Sequence, residues 1–594
     1  MQPASLKCSL RFSVFAMMSY SPQCRKCRPV VFPAPVQFSQ NCAILMEHQT
    51  LGGYRMSKRS HKHLSREKKL LLVALLLGFA LRLFYVGQVP GDGALWQDES
   101  YAGYNAWSLL HYGVDTSGYH RPVYLETWGS GMSIMLTLLE IPFVAGFGLS
   151  AFSVRLTRAV LGCIELIAFA ALCREIRGEK FAAVGTFLLS VMPWDIMMSR
   201  FAMDCNALPP FLLFGLLFLI RAGKKNSRYL LLSMLFFGLS LYCYAATWIV
   251  MPFLILFCYV WYILAVRADS SRKTIDLWGI LSVAVLGLLA LPLILFVLVN
   301  MGFLEPMTGG FLDIPRLSSF RSGELSRDPK TFLSHLYNTI HLLVTQDDGR
   351  VSDVAGSFGL FYPFSYLLML PGLGLSIFHM HREKKFRAEA LLIVQLFLGL
   401  LLGGLLEEPY FSRINIVLLP MTYFLAVGCM ELIEHWHAKA SYVIGLTYLL
   451  SVCAFVSYYF TDHNGNCAKT YGAGLREALA YTDTIRDADD TVCFLTYVPV
   501  SDVLFYEKIP ADLYLDTVVI CDRGSGTIES RYPEKYAWYD ATAAIDPANL
   551  VYQEITKNRI FLCASDNADV MAYMEENGLT VTVFANYAVG EWNH

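Results

Sequence analysis

Apolar stretches long enough to cross a bilayer recur along most of the chain, separated by short polar segments. They run from Leu70 to Val86, Met132 to Leu149, Leu156 to Leu172, Phe181 to Ile196, Leu208 to Ile220, Tyr229 to Ala245, Thr247 to Val266, Leu277 to Val299, Gly359 to Phe378, Leu391 to Leu406, Ile416 to Ile433 and Tyr442 to Phe460. A helix rises about 1.5 Å per residue, so about 20 apolar residues match a hydrocarbon layer about 30 Å thick. The pattern predicts a mainly α, polytopic membrane helix bundle. After Asp462 it changes: Leu475 to Ile485 and Ala568 to Glu576 read as helices, and Thr491 to Thr496, Arg559 to Ala564 and Leu579 to Ala585 as strands. That alternation predicts a small extracytoplasmic α/β domain over residues 461–594. Residues 1–55 carry neither period and read as disordered or as a mis-called start, which leaves residues 56–460 as the membrane unit.

Charge sets the expected sidedness. Basic clusters at Lys58 to Lys69, Arg174 to Lys180, Arg221 to Arg228, Arg267 to Lys273 and His381 to Arg387 belong in the cytoplasm, so the chain crosses an even number of times between consecutive clusters. The first interval holds three apolar runs. Met132 to Leu149, with Glu140, Pro142 and glycines, is the one that breaks parity, and it is predicted to be juxtamembrane or re-entrant. About eleven spans follow, with the N-terminus inside, the C-terminus outside, and outer loops over residues 87–154 and 301–358. The second of these loops shows no clear fold and reads as a lid or as a solvated connection.

Composition agrees with a membrane protein. Of 594 residues, 55% are hydrophobic and 16% charged, where a soluble domain carries about 25% charged residues. The net charge of -2 adds little. Of the fifteen cysteines, seven lie in or beside apolar runs and act as small hydrophobes, and Cys24 and Cys27 form a lone CxxC without a second pair. Cys467, Cys493, Cys521 and Cys563 are candidates for pairing outside the cytoplasm. Walker, GxGxxG, HExxH and GxSxG patterns are missing from the sequence, which argues against nucleotide-driven and soluble-hydrolase chemistry.

The candidate chemistry falls on the outer side. Asp98 and Glu99 follow the first span, where paired carboxylates serve proton transfer or metal binding, or simply lie in a solvated loop. In PWDIMMSRFAMDCN, Arg200 and Asp204 are four apart. On a continuing helix they share a face, either as a capping ion pair or with Asp204 joining Asp98 at one cavity while Arg200 offsets the charge. Arg121, with His120 and Glu126 nearby, and Arg413 with Asn415 offer cations and a polar amide to an anionic phosphate, or anchor in the headgroup layer. Tyr242, Tyr244 and Trp248 read as interface belt or as sugar-stacking groups.

In order, these motifs resemble the integral-membrane glycosyltransferases of the C-type fold, in particular bacterial relatives of protein O-mannosyltransferases and of the lipid A aminoarabinose transferase. The resemblance rests on DES at Asp98 to Ser100, RPVYL at Arg121 to Leu125, FGLSAFSVRLTRAVLG at Phe147 to Gly162, PWDIMMSRFAMD at Pro193 to Asp204 and RIN at Arg413 to Asn415. It implies transfer of a sugar from a polyprenyl-phosphate donor to a lipid, glycan or protein acceptor outside the cytoplasmic membrane, by inverting displacement. Asp98 takes the place of the family's base, beside Glu99, and Asp204 that of its second acid; either is a candidate ligand for a divalent metal, which some members of the fold use. Where relatives show a basic residue beside Pro-Pro, this chain has Arg121 and Pro122 followed by Val123. The contrasting expectations are a lipid-linked glycan transporter, which calls for charges at the membrane midplane and for repeated halves, and an envelope polymer ligase. The sequence reading finds the strong acids gathered at one face, and no repeat.

Overall fold

The computed structural model describes residues 65–127, 130–267, 276–320, 325–326, 328–383, 387–487, 490–522, 527–530, 536–538 and 559–592. The expectations for residues 1–55, including the Cys24 and Cys27 pair, lie outside the described residues.

The first helix, α1 (Arg66–Leu83), starts at Ser65, whose hydroxyl accepts the Lys68 N–H. A connection then leads to α2 (Gln97–His111), a hairpin of β1 (Leu125–Thr127) and β2 (Ser130–Met132), and α3 (Met135–Phe147). Gly148, at φ 74, lets the chain turn into the long α4 (Ala151–Arg177), which the Ser150 hydroxyl caps by accepting the Ser153 N–H. There follow α5 (Glu179–Val191), α6 (Pro193–Met198), α7 (Leu208–Lys224), α8 (Arg228–Ser240), α9 (Met251–Arg267), α10 (Leu277–Asn300), α11 (Pro329–Thr345), α12 (Tyr366–Glu383), α13 (Glu389–Leu405) and α14 (Leu418–Phe460), which is kinked at His437. Among the described residues, six helical segments are long and apolar enough to cross a membrane, and α3, α8, α9 and α13 are shorter apolar helices.

Packing follows from small residues and from paired charges. Where α12 crosses α14, a Cβ on Gly372 would collide with the Phe424 carbonyl oxygen and one on Gly428 with that of Leu368, so the two backbones touch. Inside the bundle Arg82 pairs with Asp195 at 2.6 Å and Arg158 with Glu165 at 3.1 Å, all four side chains fully buried. This corrects the expectation that the strong acids gather at one face. Glu165 sits at mid-length in α4 and Asp195 just past the break between α5 and α6, each answered by an arginine. At the far end of the same helices, Arg177 meets Glu389 at 3.0 Å and Arg221 meets Glu175 at 2.9 Å, which brings the basic ends of α4 and α7 together with the start of α13.

Three local expectations are corrected. Asp98 and Glu99 do not lie in a loop but open α2, which is buried on several sides. The connection after α10 is not without structure: Asp328 caps α11 by accepting the Lys330 and Thr331 N–H groups, and Leu333, Tyr337, Ile340 and Val344 form an exposed apolar stripe along that helix. Cys467, Cys493 and Cys563 are buried free thiols.

Beyond α14, the chain forms α15 (Asp462–Thr470), α16 (Leu475–Ile485), β3 (Thr491–Phe494), α17 (Val500–Glu507), α18 (Ala511–Thr517), β4 (Val518–Asp522), β5 (Thr527–Ser530), β6 (Tyr536–Trp538), β7 (Arg559–Ala564), α19 (Ala568–Glu576), β8 (Leu579–Phe584) and β9 (Tyr587–Trp592). The five-stranded sheet has the order β6-β3-β7-β9-β8, with β3 parallel to both of its neighbours and β9 antiparallel to β7 and β8. Val492, Phe494, Leu562 and Val589 fill its interior.

Candidate active site

The first turn of α2 is clamped from the bundle side by Glu99. One carboxylate oxygen accepts the Arg155 Nε–H at 2.9 Å and the Ala202 N–H at 2.9 Å, and the other accepts the Arg155 Nη2–H at 2.7 Å and the Trp96 N–H at 3.1 Å. Arg155 also donates to the Pro90 and Ala94 carbonyls, at 2.6 and 2.7 Å. Both side chains are fully buried, so this is a structural pair, with the fork of the guanidinium matched to the carboxylate. Asp98, one residue earlier, is half-buried and lies within electrostatic reach of Asp204.

Asp204 opens the short turn Asp204–Ala207 that leads into α7. Its carboxylate accepts the Ser133 N–H at 3.1 Å, so the hairpin carrying Glu126 ends against it, and it also accepts the Cys205 N–H at 2.6 Å. Tyr244, between α8 and α9, lies within reach of Asp204 on one side and of Arg413 on the other. The side chain of Asn415 donates to the Cys205 carbonyl at 2.8 Å and ties the start of α14 to the Asp204 turn. Arg413 is itself held in place: Asp348 accepts the Phe411 N–H at 3.2 Å and Asp353 the Ser412 N–H at 3.1 Å, while Tyr410 lies under both Arg413 and Arg350, at 5.0 and 3.3 Å from ring centroid to guanidinium. A cleft of about 650 Å³ opens between α11 and the segment before Arg413, lined in part by His341, Asp348, Glu408 and Tyr410. Two acids, a phenol and an arginine from four distant parts of the chain therefore share one end of the bundle.

Two residues read from the sequence as substrate contacts have other partners. Arg200 and Asp204 do not share a helical face, because α6 ends at Met198 and the chain is extended at Met203. The Arg200 guanidinium instead donates to the carbonyls of Leu81, Arg82, Tyr85 and Val89, at 2.9 to 3.2 Å, and lies over Phe460. It pins the end of α1 and the connection to α2. Arg200→Met is expected to lower stability by at least about 3 kcal/mol, since four carbonyls lose their donor, and thermal unfolding of the solubilised protein measures it. Arg121 is exposed and donates to the Gly310 carbonyl at 2.8 Å, beside Phe311, while Asp313 accepts the backbone N–H groups of His120 and Arg121 at 2.8 and 3.1 Å. Arg121 thereby ties the connection after α10 to the segment leading into the hairpin.

Buried carboxyls near the site give stability a pH dependence. Burial pushes Asp115 up to about 7 against the backbone N–H groups of Tyr119 and Ser117 that oppose the shift, with Glu126 and Asp313 adding to it. Burial likewise pushes Asp502 up to about 7, the Ser100 hydroxyl opposing and the Glu99 charge adding. Both folded values stand above the unfolded one, so the native state holds protons that the unfolded chain has released. Stability is expected to fall as pH rises from about 4 to about 7, by up to about 1.4 kcal/mol per pH unit for each such proton, and then to level off; melting temperatures across that window check it.

Sequence reasoning missed Arg155, Asp353, Arg350 and Asp502. A signal existed for the first: an arginine inside an apolar helix has to be paired, and Glu99 is its partner.

Asp98 and Asp204 supply hard oxygen donors of the kind divalent cations take. Among the described residues, His, Cys, Asp and Glu form no group of three or more around a common point.

Residues 142–299 match the family model of dolichyl-phosphate-mannose-protein mannosyltransferases. Among solved structures, ArnT from Cupriavidus metallidurans bound to undecaprenyl phosphate is similar with a TM-score of 0.52 at 13% identity, covering 88% of this chain and 97% of that one. Its apo state gives a TM-score of 0.52 at 14% identity with the same coverage. The archaeal oligosaccharyltransferase AglB from Archaeoglobus fulgidus gives 0.47 at 13% identity, covering 84% of this chain and 69% of that one. No curated protein sequence matches at a significant level. Matched by that family model over part of its length and by the ArnT structure over most of it, the chain has the C-type fold of the integral-membrane glycosyltransferases.

Proposed function

We propose that the protein transfers a hexosyl or pentosyl unit from a polyprenyl-phosphate donor to an acceptor hydroxyl on the outer face of the cytoplasmic membrane. The observation that carries this reading is that Asp98 lies within electrostatic reach of Asp204, and Tyr244 within reach of both Asp204 and Arg413. Asp98 takes the proton of the acceptor hydroxyl as its oxygen forms the bond to the anomeric carbon. The bond from that carbon to the phosphate oxygen breaks in the same step, the configuration inverts, and polyprenyl phosphate leaves with its charge offset by Arg413. Glu99, Arg200, Asn415, Arg121 and the hairpin strand with Glu126 hold this frame rather than touch the reacting atoms. Asp98 and Asp204 are the residues that would hold a divalent cation, which supplies further charge compensation when bound.

In this reading eleven spans cross the membrane: α1, α4, α5 with α6, α7, α8, α9, α10, α12, α13 and the two halves of α14. The basic ends face the cytoplasm, α2, α3 and α11 lie along the outer surface, and the C-terminal region from residue 461 is a separate extracytoplasmic domain. A glycan transporter finds one supporting observation, the four charges inside the bundle, but these are paired with each other. A polymer ligase would share the outer site and differ in the size of the group moved.

Purified protein in lipid nanodiscs, supplied with synthetic polyprenyl-phosphate sugars or with nucleotide sugars, tests the reaction class. Transfer from the lipid donors alone, with inversion at the anomeric carbon, is the expected result. Use of nucleotide sugars, or movement of the lipid between leaflets without any transfer, would overturn it.

A further inference from the structure

The Ser100 side chain points away from the bundle, into the region that follows α14. Ser100, fully buried, makes a short hydrogen bond to the Asp502 carboxyl and lies 3.0 Å from the Ser501 hydroxyl, both on the first turn of α17. The Ser501 hydroxyl donates in turn to the Gln97 carbonyl at 3.2 Å, the Tyr497 hydroxyl to the Gln97 side chain at 3.3 Å, and the Leu95 N–H to the Tyr506 hydroxyl at 3.3 Å. Farther along α2, the Tyr104 hydroxyl donates to the Ile509 carbonyl at 2.7 Å, and Phe505 packs so closely on Gly103 that a Cβ there would strike its ring. Two first turns of helix, one from each part of the chain, therefore face each other through a serine, a serine and a carboxyl, all buried. Asp98 shares its turn with both clamps: Glu99 fixes the bundle side and Ser100 the side of the C-terminal region.

We propose that Asp502 is a positioning residue for Asp98, holding the first turn of α2 through Ser100, so that the C-terminal region is a working part of the transfer site. The inference rests on the reading of Asp98 as the base. Physically, a side chain on the first turn of a helix is aimed by whatever fixes that turn, and the first turn lacks the full set of backbone hydrogen bonds that stiffens a helix interior. Here the missing stiffness comes from outside the helix. Glu99 holds the bundle side of the turn; Asp502, together with the Ser501 bond to the Gln97 carbonyl, holds the other. Tyr497, 60% exposed and within electrostatic reach of Asp98, brings the segment before α17 to the rim of the same site.

The test is a double-mutant cycle on Ser100→Ala and Asp502→Ala in the full-length protein, with Asp502→Asn as the conservative variant and transfer from a synthetic polyprenyl-phosphate sugar as the readout. Each alanine variant is expected to lower kcat about tenfold with the donor KM unchanged, because the base is misaimed while the donor site is untouched. The double variant is expected to lose no more than either single one, since both remove the same contact. Asp502→Asn, which keeps an acceptor oxygen for Ser100, is expected to stay within about threefold of wild type. If Asp502→Ala fails to fold, Ser100→Ala decides alone, as it leaves every residue of the C-terminal region in place. Wild-type kcat in Ser100→Ala, additive losses in the double variant, or a loss confined to KM would each overturn the proposal. Asp98→Asn separates the two readings: full activity there removes the base role, while the Ser100 and Asp502 cycle still reports whether this contact sets turnover.

Discussion

Asp98→Asn is expected to lower kcat for sugar transfer by about 10²- to 10⁴-fold, the range that a positioned general base contributes. Asparagine has the shape of aspartate and can hydrogen-bond at the first turn of α2, so the turn keeps its place; what disappears is the ability to take a proton. The donor KM should change little, because the proposed mechanism assigns the phosphate to Arg413 rather than to Asp98. A fall in kcat and kcat/KM together, without a rise in KM, is the signature of an interaction made only in the transition state. The measurement is transfer of a labelled sugar under saturating donor, with thermal unfolding of the same preparation to show an intact fold. Activity within about threefold of wild type would take the proton-accepting role away from Asp98. Asp204→Asn is the natural companion: its carboxylate accepts two backbone N–H groups, from Ser133 and Cys205, so asparagine also disturbs the hairpin. Its loss should therefore appear in stability as well as in rate.

How much of this was readable from the sequence differs by element, for physical reasons. The long apolar helices were legible because a membrane demands continuous apolar length, and α10 and the second half of α14 carry little else. Five elements of the C-terminal region were legible too, and α16, β7 and α19 begin and end where the alternation of apolar and polar residues places them, whereas α15, α17, α18 and β9 were not. By contrast α2 was hidden. Its sequence, QDESYAGYNAWSLLH, shows no single apolar face, because the helix is enclosed on several sides, by α3, α4 and α17, and buries serine, asparagine and glutamate along with tyrosine. Its helical state is set by tertiary contacts that no local period records. The candidate site divides in the same way. Asp98, Asp204 and Arg413 stand out in the sequence because charge is rare on such a chain, whereas the partners of Arg200 and Glu99 do not, because an arginine's choice between a carboxylate four residues away and four carbonyls more than a hundred residues away is decided by the bundle. Asp502 carried no signal at all: an acid on a short helix of a region that reads as soluble looks like any solvated residue until α17 is seen against α2.

The clamp on the bundle side yields the largest stability effect. Arg155→Met is expected to destabilise the protein by about 3–5 kcal/mol, the cost of leaving one member of a buried ion pair without the other. Methionine fills much of the volume, so the loss is electrostatic: Glu99 keeps only the Trp96 and Ala202 N–H groups, and the Pro90 and Ala94 carbonyls lose their donors. Glu99→Gln added to Arg155→Met should recover part of the loss, because a neutral amide is far cheaper to bury than a lone carboxylate. Arg155→Lys should rescue poorly, since an ammonium cannot reach both carboxylate oxygens and two carbonyls at once. Denaturation of the four proteins in one detergent measures the order, which should run from wild type through the double variant to the lysine and methionine singles. A methionine single as stable as wild type would mean that Glu99 is neutral in the folded protein, and the turn carrying Asp98 would then be held by the Ser100 side alone. In that case the Ser100→Ala variant, not Arg155→Met, should be the one that releases α2, and the two proteins compared side by side distinguish which clamp bears on the catalytic turn.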